Sequence, residues 1–368
     1  MIRDVEILVV GAGPAGLCAA KTAANYGAQV LLCERDEIPG GQLVKQTHKF
    51  FGSEKQFAGD RGFMIGRMLV KEVLENKNIT LWTDTTVLGA YEDGIITCLH
   101  EGEHVKIRAK KTVICTGAAE KFLTFPGNDL PGIYGAGAVQ TLMNVAGVKP
   151  AEKVVMVGAG NIGLIVSYQL TQAGVQVVKL VEAAPKIGGY LVHASKLRRA
   201  GVPILTGYTI KEAYGKEQLE GVIIQQLDEK WQPVPGTEED VPCDTLCLAV
   251  GLSPLTELLW QAGCDMAYIR ELSGHVPLLN DCLETTKSGI YAAGDARGIE
   301  EASAAMVEGR LAGAHAAMTL GCRAEEAAKE VEAAKADLSE LRSGPTGAKI
   351  LTGIQKMQET KEAMNNAQ

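Results

Sequence analysis

No Cys-x-x-Cys pair occurs anywhere in this 368-residue chain, and the closest of its nine cysteines, Cys243 and Cys247, are four positions apart on the strand-like run CDTLCLAVG. That spacing on an apolar run points to packing, and neither an internal redox dithiol nor a metal site is expected; with Cys322 alone beyond Asp295, the chain is not expected to hold an iron–sulfur cluster itself. Cysteines scattered through apolar runs are expected to be reduced, as in a cytoplasmic protein. Basic residues are outnumbered, 36 Lys and Arg to 44 Asp and Glu, giving a net charge of −8, which argues against nucleic acid or an anionic membrane surface as the main partner. No cationic lead precedes the first apolar run, VEILVV, so no signal peptide is expected. The longest charge-free run, Val154 to Val178, would be long enough to span a bilayer. It carries four glycines, three glutamines, Asn161, Ser167 and Thr171 and reads as strand, turn, helix, strand, so no membrane span is expected. Aromatic residues are few, 5% of the chain.

What is present in excess is glycine, 42 residues, in a chain that is 46% hydrophobic and 22% charged. This suits a soluble protein of two or three domains with many tight βα turns. The sequence also repeats itself. VEILVV leads into Gly11-x-Gly13-x-x-Gly16, a helix-compatible run to Tyr26, and AQVLLCE ending at Glu34. KVVMV leads into Gly158-x-Gly160-x-x-Gly163, a helix to about Ala173, and VQVVKLVE ending at Glu182. The glycines are offset by 147 positions and the glutamates by 148. Each half continues with strand-like segments: LWTDTTVLGAY, GIITCLHEG, HVKIRAK and TVICTGA in the first, PILTGYTIKEAYG, LEGVIIQQL, WQPVP and DTLCLAVGLSP in the second. Turn-rich breaks fall at KFLTFPGNDLPG and GLSPL.

Each fingerprint has a physical reading. The first glycine allows a tight turn, the second lets a pyrophosphate approach the backbone, and the third lets helix pack on strand. The anion sits on a helix N-terminus, where free N–H groups and the helix dipole favour it, and the distal carboxylate accepts from ribose hydroxyls. A bare GxGxxG does not separate a flavin nucleotide from a nicotinamide one, and glycines used for packing alone are the alternative.

GAGPAG at the N-terminus, ERDEIPGGQL after the second strand, TVICTGA, and SGIYAAGD near residue 290 occur in an order that resembles the two-dinucleotide-binding-domain FAD/NAD(P) oxidoreductases, of which thioredoxin reductase is the best-known member. The resemblance covers roughly residues 4 to 320. It implies an α/β fold of two Rossmann-like, three-layer ββα domains, the second inserted in the first, with a helical C-terminal tail. The FAD domain would be discontinuous, 1–122 and 253–322, the NAD(P) domain 123–252 and the tail 323–368. FAD would lie on Gly11, Gly13, Pro14, Ala15 and Gly16, with Glu34 and Arg35 at the adenosine ribose. Gly41 and Gln42 would pass beside the flavin, Thr116 and Gly117 under the nucleotide, and Gly294 with Asp295 at the ribityl chain. The helix starting near Ala302 would aim its N-terminus at the flavin ring, stabilising negative charge there. The second nucleotide would take Gly158, Gly160, Asn161, Ile162, Gly163, Glu182 and Gly251. A carboxylate at Glu182 suits the free 2′-hydroxyl of NAD(H) and repels the 2′-phosphate of NADP. Lys179, Lys186, Arg198 and Arg199 are near in sequence and are candidates for phosphate binding.

The chain departs from thioredoxin reductases where their cysteine pair falls, since Tyr134-Gly135-Ala136-Gly137-Ala138 stands there. Thioredoxin reductase activity is therefore not expected. A nearer resemblance is to FAD subunits of multi-subunit dehydrogenases such as hydrogen cyanide synthase, opine oxidase and dye-linked proline dehydrogenase. It implies an FAD-dependent oxidoreductase that moves hydride between NAD(H) and FAD and exchanges electrons with a partner, an iron–sulfur protein or second dehydrogenase subunit, in a homo- or hetero-oligomer. One alternative is an amine or amino-acid dehydrogenase subunit whose second fold holds ATP or ADP, or is only structural. Another is a non-catalytic flavin-binding scaffold or redox sensor.

No catalytic residue stands out. Lys45 and His48 could line the flavin's substrate side, or lie on a solvated loop over Phe50 and Phe51. Tyr134 could stack near the ring or pack in the core. His193 and His315 sit in helix-like runs and read as structural. The tail has Val331, Ala334, Leu338 and Leu341, then Ile350, Ile354 and Met357, at helical spacing. It could dock a partner or pack on its own domain.

Overall fold

The computed structural model of the chain describes residues 2–366, so Met1, Ala367 and Gln368, at the ends of the expected first domain and tail, lie outside the described residues. The chain runs first through β1 (Ile2–Val10), α1 (Pro14–Asn25), β2 (Val30–Cys33), α2 (Gly62–Glu75), β3 (Ile79–Trp82), β4 (Thr85–Ala90), β5 (Ile95–His100) and β6 (Glu103–Ile114). A short β7 (Ala118–Glu120) leads to β8 (Ile133–Gly135), α3 (Ala136–Asn144), β9 (Lys153–Val157), α4 (Asn161–Gln172), β10 (Gln176–Glu182), α5 (Leu191–Arg199) and β11 (Ile204–Thr206). Then come β12 (Tyr208–Tyr214), β13 (Gly221–Gln226), β14 (Glu239–Pro242) and β15 (Thr245–Leu248). After β16 (Leu252–Pro254) follow α6 (Glu257–Gln261), β17 (Met266–Ile269), β18 (Gly274–Pro277), β19 (Ile290–Ala292), α7 (Ala302–Thr319), α8 (Ala324–Leu341) and α9 (Pro345–Asn366). The chain divides into two compact units, Met1–Ala119 with Ser253–Gln368, and Glu120–Leu252.

In the first unit β3, β2, β1 and β6 lie side by side and parallel. The long β6 serves two partners on its far side. Its first half takes the antiparallel meander β5–β4, and Thr112 to Ile114 take β19 in parallel. The run VEILVV is apolar without interruption because both faces of β1 are covered. Ile7 and Val9 face the helices, while Leu8 and Val10 face the meander. The second unit solves the same problem with the same residues one repeat later. Its sheet β11-β10-β9-β15-β8 is all parallel. Val154 and Met156 face its helices, and Val155 and Val157 face the antiparallel sheet β12-β13-β14.

Two sequence-read segments differ. LWTDTTVLGAY is two strands rather than one, broken at Asp84 (φ 46°), so that its first half joins the parallel sheet and its second starts the meander. WQPVP is not the third strand of the second meander; that strand is Glu239–Pro242. The chain around Trp231 (φ 62°) is a turn, closed by the Asp228 carboxylate accepting from the N–H groups of Lys230 and Gln232, both at 2.8 Å.

Helix α7 is alanine-rich and buried almost all round, as a helix without a polar face must be. It meets α1 at glycine contact: a Cβ on Gly309 or Gly313 would run into the carbonyl oxygens of Ala15 and Ala19. The tail packs on the first unit. Val331, Ala334 and Leu338 of α8 and Ile350 and Met357 of α9 are buried in the core that holds α1 and α7.

Candidate functional site

The two fingerprints fold into the same local structure. Gly11 (φ 96°) leaves β1, and a Cβ there would sit 2.5 Å from the carbonyl oxygen of Cys115. Gly16 lets α1 press on the turn, since a Cβ would enter the carbonyl oxygen of Gly11. The buried Glu34 accepts from the Ala12 N–H at 2.6 Å with one oxygen and from the Asp36 N–H at 3.0 Å with the other. In the second unit Gly158 (φ 101°) leaves β9, and a Cβ on Gly163 would enter the carbonyl oxygen of Gly158. The half-buried Glu182 accepts from Ala159 N–H at 2.7 Å and Ala184 N–H at 2.9 Å. Each carboxylate thus ties its strand end to the glycine turn and keeps further acceptor lone pairs.

The middle glycines differ in kind from the outer ones. A Cβ on Gly160 would meet nothing within 4 Å, and one on Gly13 only the Cα of Gly41 at 3.9 Å. No protein contact requires glycine there. What the missing side chains leave open is the ground over the first turns of α1 and α4. Neither helix has a side-chain cap, and Pro14 begins α1 without an N–H to satisfy. Uncapped N-termini under bare glycines, each with a carboxylate at the end of the next strand, fit a dinucleotide pyrophosphate and its ribose.

A second glycine pair closes each turn, and the sequence reading identified only one of them. Gly40 donates to Ala12 O at 2.8 Å, and a Cβ on Gly41 would sit 2.7 Å from Gly13 Cα. Gly189 donates to Ala159 O at 2.9 Å, and a Cβ there would sit 2.8 Å from the Asn161 nitrogen. Tyr190 N–H then donates to Asn161 Oδ1 at 2.8 Å, holding the amide at the first turn of α4. The signal was available: the Gly-Gly of ERDEIPGGQL recurs in EAAPKIGGYL at the same 148-residue offset as the glutamates.

Around the first fingerprint, the turn bearing Asp295 lies against α1: a Cβ on Gly294 (φ 69°) would sit 2.9 Å from the Ala15 side chain. Asp295 is deeply buried, and burial, with the Glu308, Glu300 and Glu301 carboxylates near it, pushes its pKa up to about 7 against the pull of a Glu300 N–H bond. Thr116 donates its hydroxyl to Leu255 O at 2.7 Å, and Gly117 (φ 78°) accepts from Leu255 N–H at 3.0 Å. Ala302 opens α7, whose N-terminus has no side-chain cap. Arg35 is exposed and paired with Asp36. Gln42, at the start of the 3-10 turn Gly41–Lys45, is exposed. Lys45 and His48 are half-buried, with His48 stacked on Phe50 at 6.1 Å.

In the second unit Ile162 is exposed on the first turn of α4, and Gly251 (φ 117°) accepts from Lys121 N–H. Of the four nearby cations, Lys179 is committed to Glu239. Arg198 and Arg199 end α5, which runs away from the Glu182 end of β10 for nine residues, about 13 Å. They are therefore carried away from the glycine turn. Lys186 is exposed on the connecting loop. His193 is buried, with its pKa lowered by burial and by Lys196, and His315 Nδ1 bonds the Tyr291 hydroxyl at 3.0 Å.

The place of the missing cysteines is filled by a carboxylate that sequence reading did not identify. Glu120 accepts from Gly137 N–H at 2.7 Å and Ala138 N–H at 3.2 Å, capping α3. A helix N-terminus there would lower the pKa of a thiol; this chain supplies its own anion instead. Tyr134, on β8 and part-exposed, pairs in register with the buried Cys247. All nine cysteines are free, and burial pushes every thiol up in pKa, to about 12 for Cys18 and Cys243. None is a ready thiolate. Among the described residues no cluster of metal-ligating side chains occurs and no helix is long and apolar enough to cross a membrane.

Comparison with known proteins agrees with this geometry. An opine oxidase subunit of Agrobacterium tumefaciens (strain Ach5) is 30% identical over 323 residues, 83% of this chain and 64% of that protein. The chain thus spans less than two thirds of that relative's length. Hydrogen cyanide synthase subunit HcnB of Pseudomonas protegens is 27% identical over 87% of this chain and 72% of its own. In fold, the chain is similar to L-proline dehydrogenase from P. horikoshii (TM-score 0.67, 24% identity, 90% of this chain and 60% of that one). It is also similar to T. acidophilum thioredoxin reductase (TM-score 0.71, 20% identity, 86% and 99%). The family model described as pyridine nucleotide-disulphide oxidoreductase matches residues 5–309. Two Rossmann-like glycine turns, each tied to a glutamate at the end of the next strand, and a match across most of the length place this chain in the pyridine nucleotide-disulphide oxidoreductase family, as a member without the disulphide.

Proposed function

We propose that the chain is the FAD- and NAD(H)-binding subunit of a larger oxidoreductase, with FAD in the first unit and NAD(H) in the second. The observation that carries this reading is the duplicated turn: bare Gly13 and Gly160 over uncapped helices, each facing a fixed glutamate. The bound pair supplies hydride transfer, two electrons and a proton moving between nicotinamide and flavin, with the electrons exchanged onward with a partner subunit. The chain's residues bind and orient. The α1 and α4 amides hold the pyrophosphates, Glu34 and Glu182 the adenosine riboses, and Asp295 the ribityl hydroxyls. The N-terminus of α7 favours negative charge on the ring. Glu182, with Lys179 tied to Glu239 and the arginines of α5 distant, favours NAD over NADP. The partner reading rests on relatives whose names mark them as subunits.

A second reading is favoured by Gly188-Gly189. The second turn is tied by the same glycine-pair contact as the first, and the first is read as holding its nucleotide permanently. An adenine nucleotide such as ATP or ADP retained there without turnover would then leave the substrate chemistry to a partner. Anaerobic mixing of FAD-loaded protein with NADH and with NADPH separates the two. Rapid loss of the flavin's visible absorbance with NADH, and little with NADPH, is the expected result. No bleaching by either, with ATP or ADP released from denatured protein, would replace the first reading by the second.

A further inference from the structure

The C-terminal segment reaches into the turn that carries Asp295. Between α8 and α9, the buried Arg342 donates Nε and Nη2 to Glu300 at 3.0 and 2.7 Å and Nη2 to Glu308 at 2.5 Å. Glu308, 1% exposed on α7, also pairs with the buried Arg297 and accepts from the Gly294 N–H at 2.9 Å. Glu300 has a second link, because its backbone N–H is hydrogen-bonded to the Asp295 carboxylate. Its neighbour Glu301 is the N-cap residue of α7. Two short routes therefore run from one arginine to the Gly294–Asp295 turn, one through each glutamate.

The other side of the same turn is also held by the tail. Gly353 of α9 lets the helix approach Leu272, whose side chain a Cβ would meet at 2.8 Å. Leu272 in turn packs under Gly298, where a Cβ would lie 3.0 Å from its side chain, and accepts from Ile299 N–H at 3.2 Å. Lys356 pairs with Glu271 beside it. The turn from Gly294 to Glu301 is thus gripped between Arg342 and Leu272.

We infer that Arg342 is a positioning residue for the flavin: through Glu308 and Glu300 it fixes the Gly294–Asp295 turn and the first turn of α7. The inference rests on the reading of this turn as the flavin's seat. The charge balance explains why a buried ion cluster is used. Arg297 and Arg342 face Glu300 and Glu308 inside the fold, and Glu301 and Asp295 lie at its edge. Two cations hold two carboxylates in place next to a third that must stay aimed at a hydroxyl. Remove Arg342, and Arg297 is left to compensate both glutamates, so the cluster relaxes and the turn with it. A lysine keeps the charge but cannot span Glu300 and Glu308 with a planar fork.

The test compares wild type with Arg342→Ala, Arg342→Lys and the core control Val331→Ala, buried on α8 about 16 Å along the helix from Arg342. The readouts are FAD affinity of the apoprotein, by quenching of flavin fluorescence across pH 6 to 9, and the bound flavin's midpoint potential. Arg342→Ala is expected to weaken FAD about tenfold or more and to lower the potential, because reduced flavin loses more than oxidised flavin when cationic charge is removed. Arg342→Lys should fall between the two. Val331→Ala should lose thermal stability while FAD affinity and potential stay near wild type. Equal affinity and potential in wild type and Arg342→Lys or Arg342→Ala would overturn the inference. So would a Val331→Ala change as large as that of Arg342→Ala, since the effect would then be general loosening. Wild-type apoprotein that does not take up FAD would overturn the functional reading itself.

Discussion

The two glycine turns share their backbone and differ in what encloses them. In the first unit α1 is backed by α7 through glycines and alanines, Glu34 is buried, and a third segment, Gly294 to Glu301, is braced against the turn by a buried ion cluster. In the second unit α4 is backed by the short α3 through a Gln140–Gln169 side-chain bond at 2.9 Å, Glu182 is half-exposed, and Tyr190, Leu191 and Val192 stand exposed beside the turn. The same nucleotide grip is built tight in one place and open in the other. That difference suits a resident cofactor in the first unit and an exchangeable one in the second, because an enclosed site with fixed acceptors slows release while an exposed rim permits it.

The comparison is broken most severely at the outer glycines. Gly16→Ala and Gly163→Ala each force a Cβ into a carbonyl oxygen, and each should cost about 3 kcal/mol by overpacking. Urea unfolding followed by intrinsic fluorescence measures the loss. If the two units carry independent sites, FAD retention should fall in Gly16→Ala and persist in Gly163→Ala.

Titration sharpens the contrast next, because only the first unit carries a carboxyl such as Asp295. Burial raises its folded pKa to about 7, above the unfolded value near 3.8. A raised carboxyl contributes stability that is fully present below the unfolded pKa and is lost as pH rises through the folded one. Apoprotein stability from this group should therefore decline between about pH 4 and pH 7. Asp295→Asn, which cannot ionise, should raise the apoprotein melting temperature at pH 8 and leave it unchanged at pH 4. A variant that melts lower than wild type at pH 8 would remove the argument. Glu300, Glu301 and Glu308 are the acids facing this group, and Arg297 and Arg342 the cations of the adjoining cluster.

The smallest effect on the fold is expected at Gly160. Nothing lies within 4 Å of a Cβ there, so Gly160→Ala should change stability by no more than about 0.5 kcal/mol. On the proposed reading it should nonetheless weaken nucleotide binding in the second unit about tenfold, since the methyl would occupy the ground a pyrophosphate needs. Isothermal titration with NADH reads the affinity and thermal denaturation the stability. Equal affinity in variant and wild type would show that no phosphate lies over Gly160.

How much of this was legible in the sequence depends on the range of the interaction. The fingerprints, Glu34 and Glu182 were readable because each grip is completed within about 25 residues of one strand–turn–helix unit. The parallel strands were readable because a strand covered on both faces is apolar without a break. Gly188-Gly189 was equally readable at the 148-residue offset and was missed because Gly-Gly was tied to the flavin rather than to the repeat. Glu120 and Arg342 were not legible: the first caps a helix 16 residues on, and the second completes a cluster with Glu300 and Glu308 across the turn between two helices. Neither is marked by local pattern. Arg198 and Arg199 misled because nearness in sequence is not nearness to the strand end when the intervening helix runs the other way.

The central claim is that one chain holds two dinucleotides in two separate seats. Native mass spectrometry of FAD-loaded protein titrated with NADH tests it directly. The account predicts a species carrying one FAD and one NADH per chain, with Gly163→Ala losing the NADH and keeping the FAD. A chain that never carries more than one dinucleotide, or NADH that appears only as FAD is displaced, would contradict it.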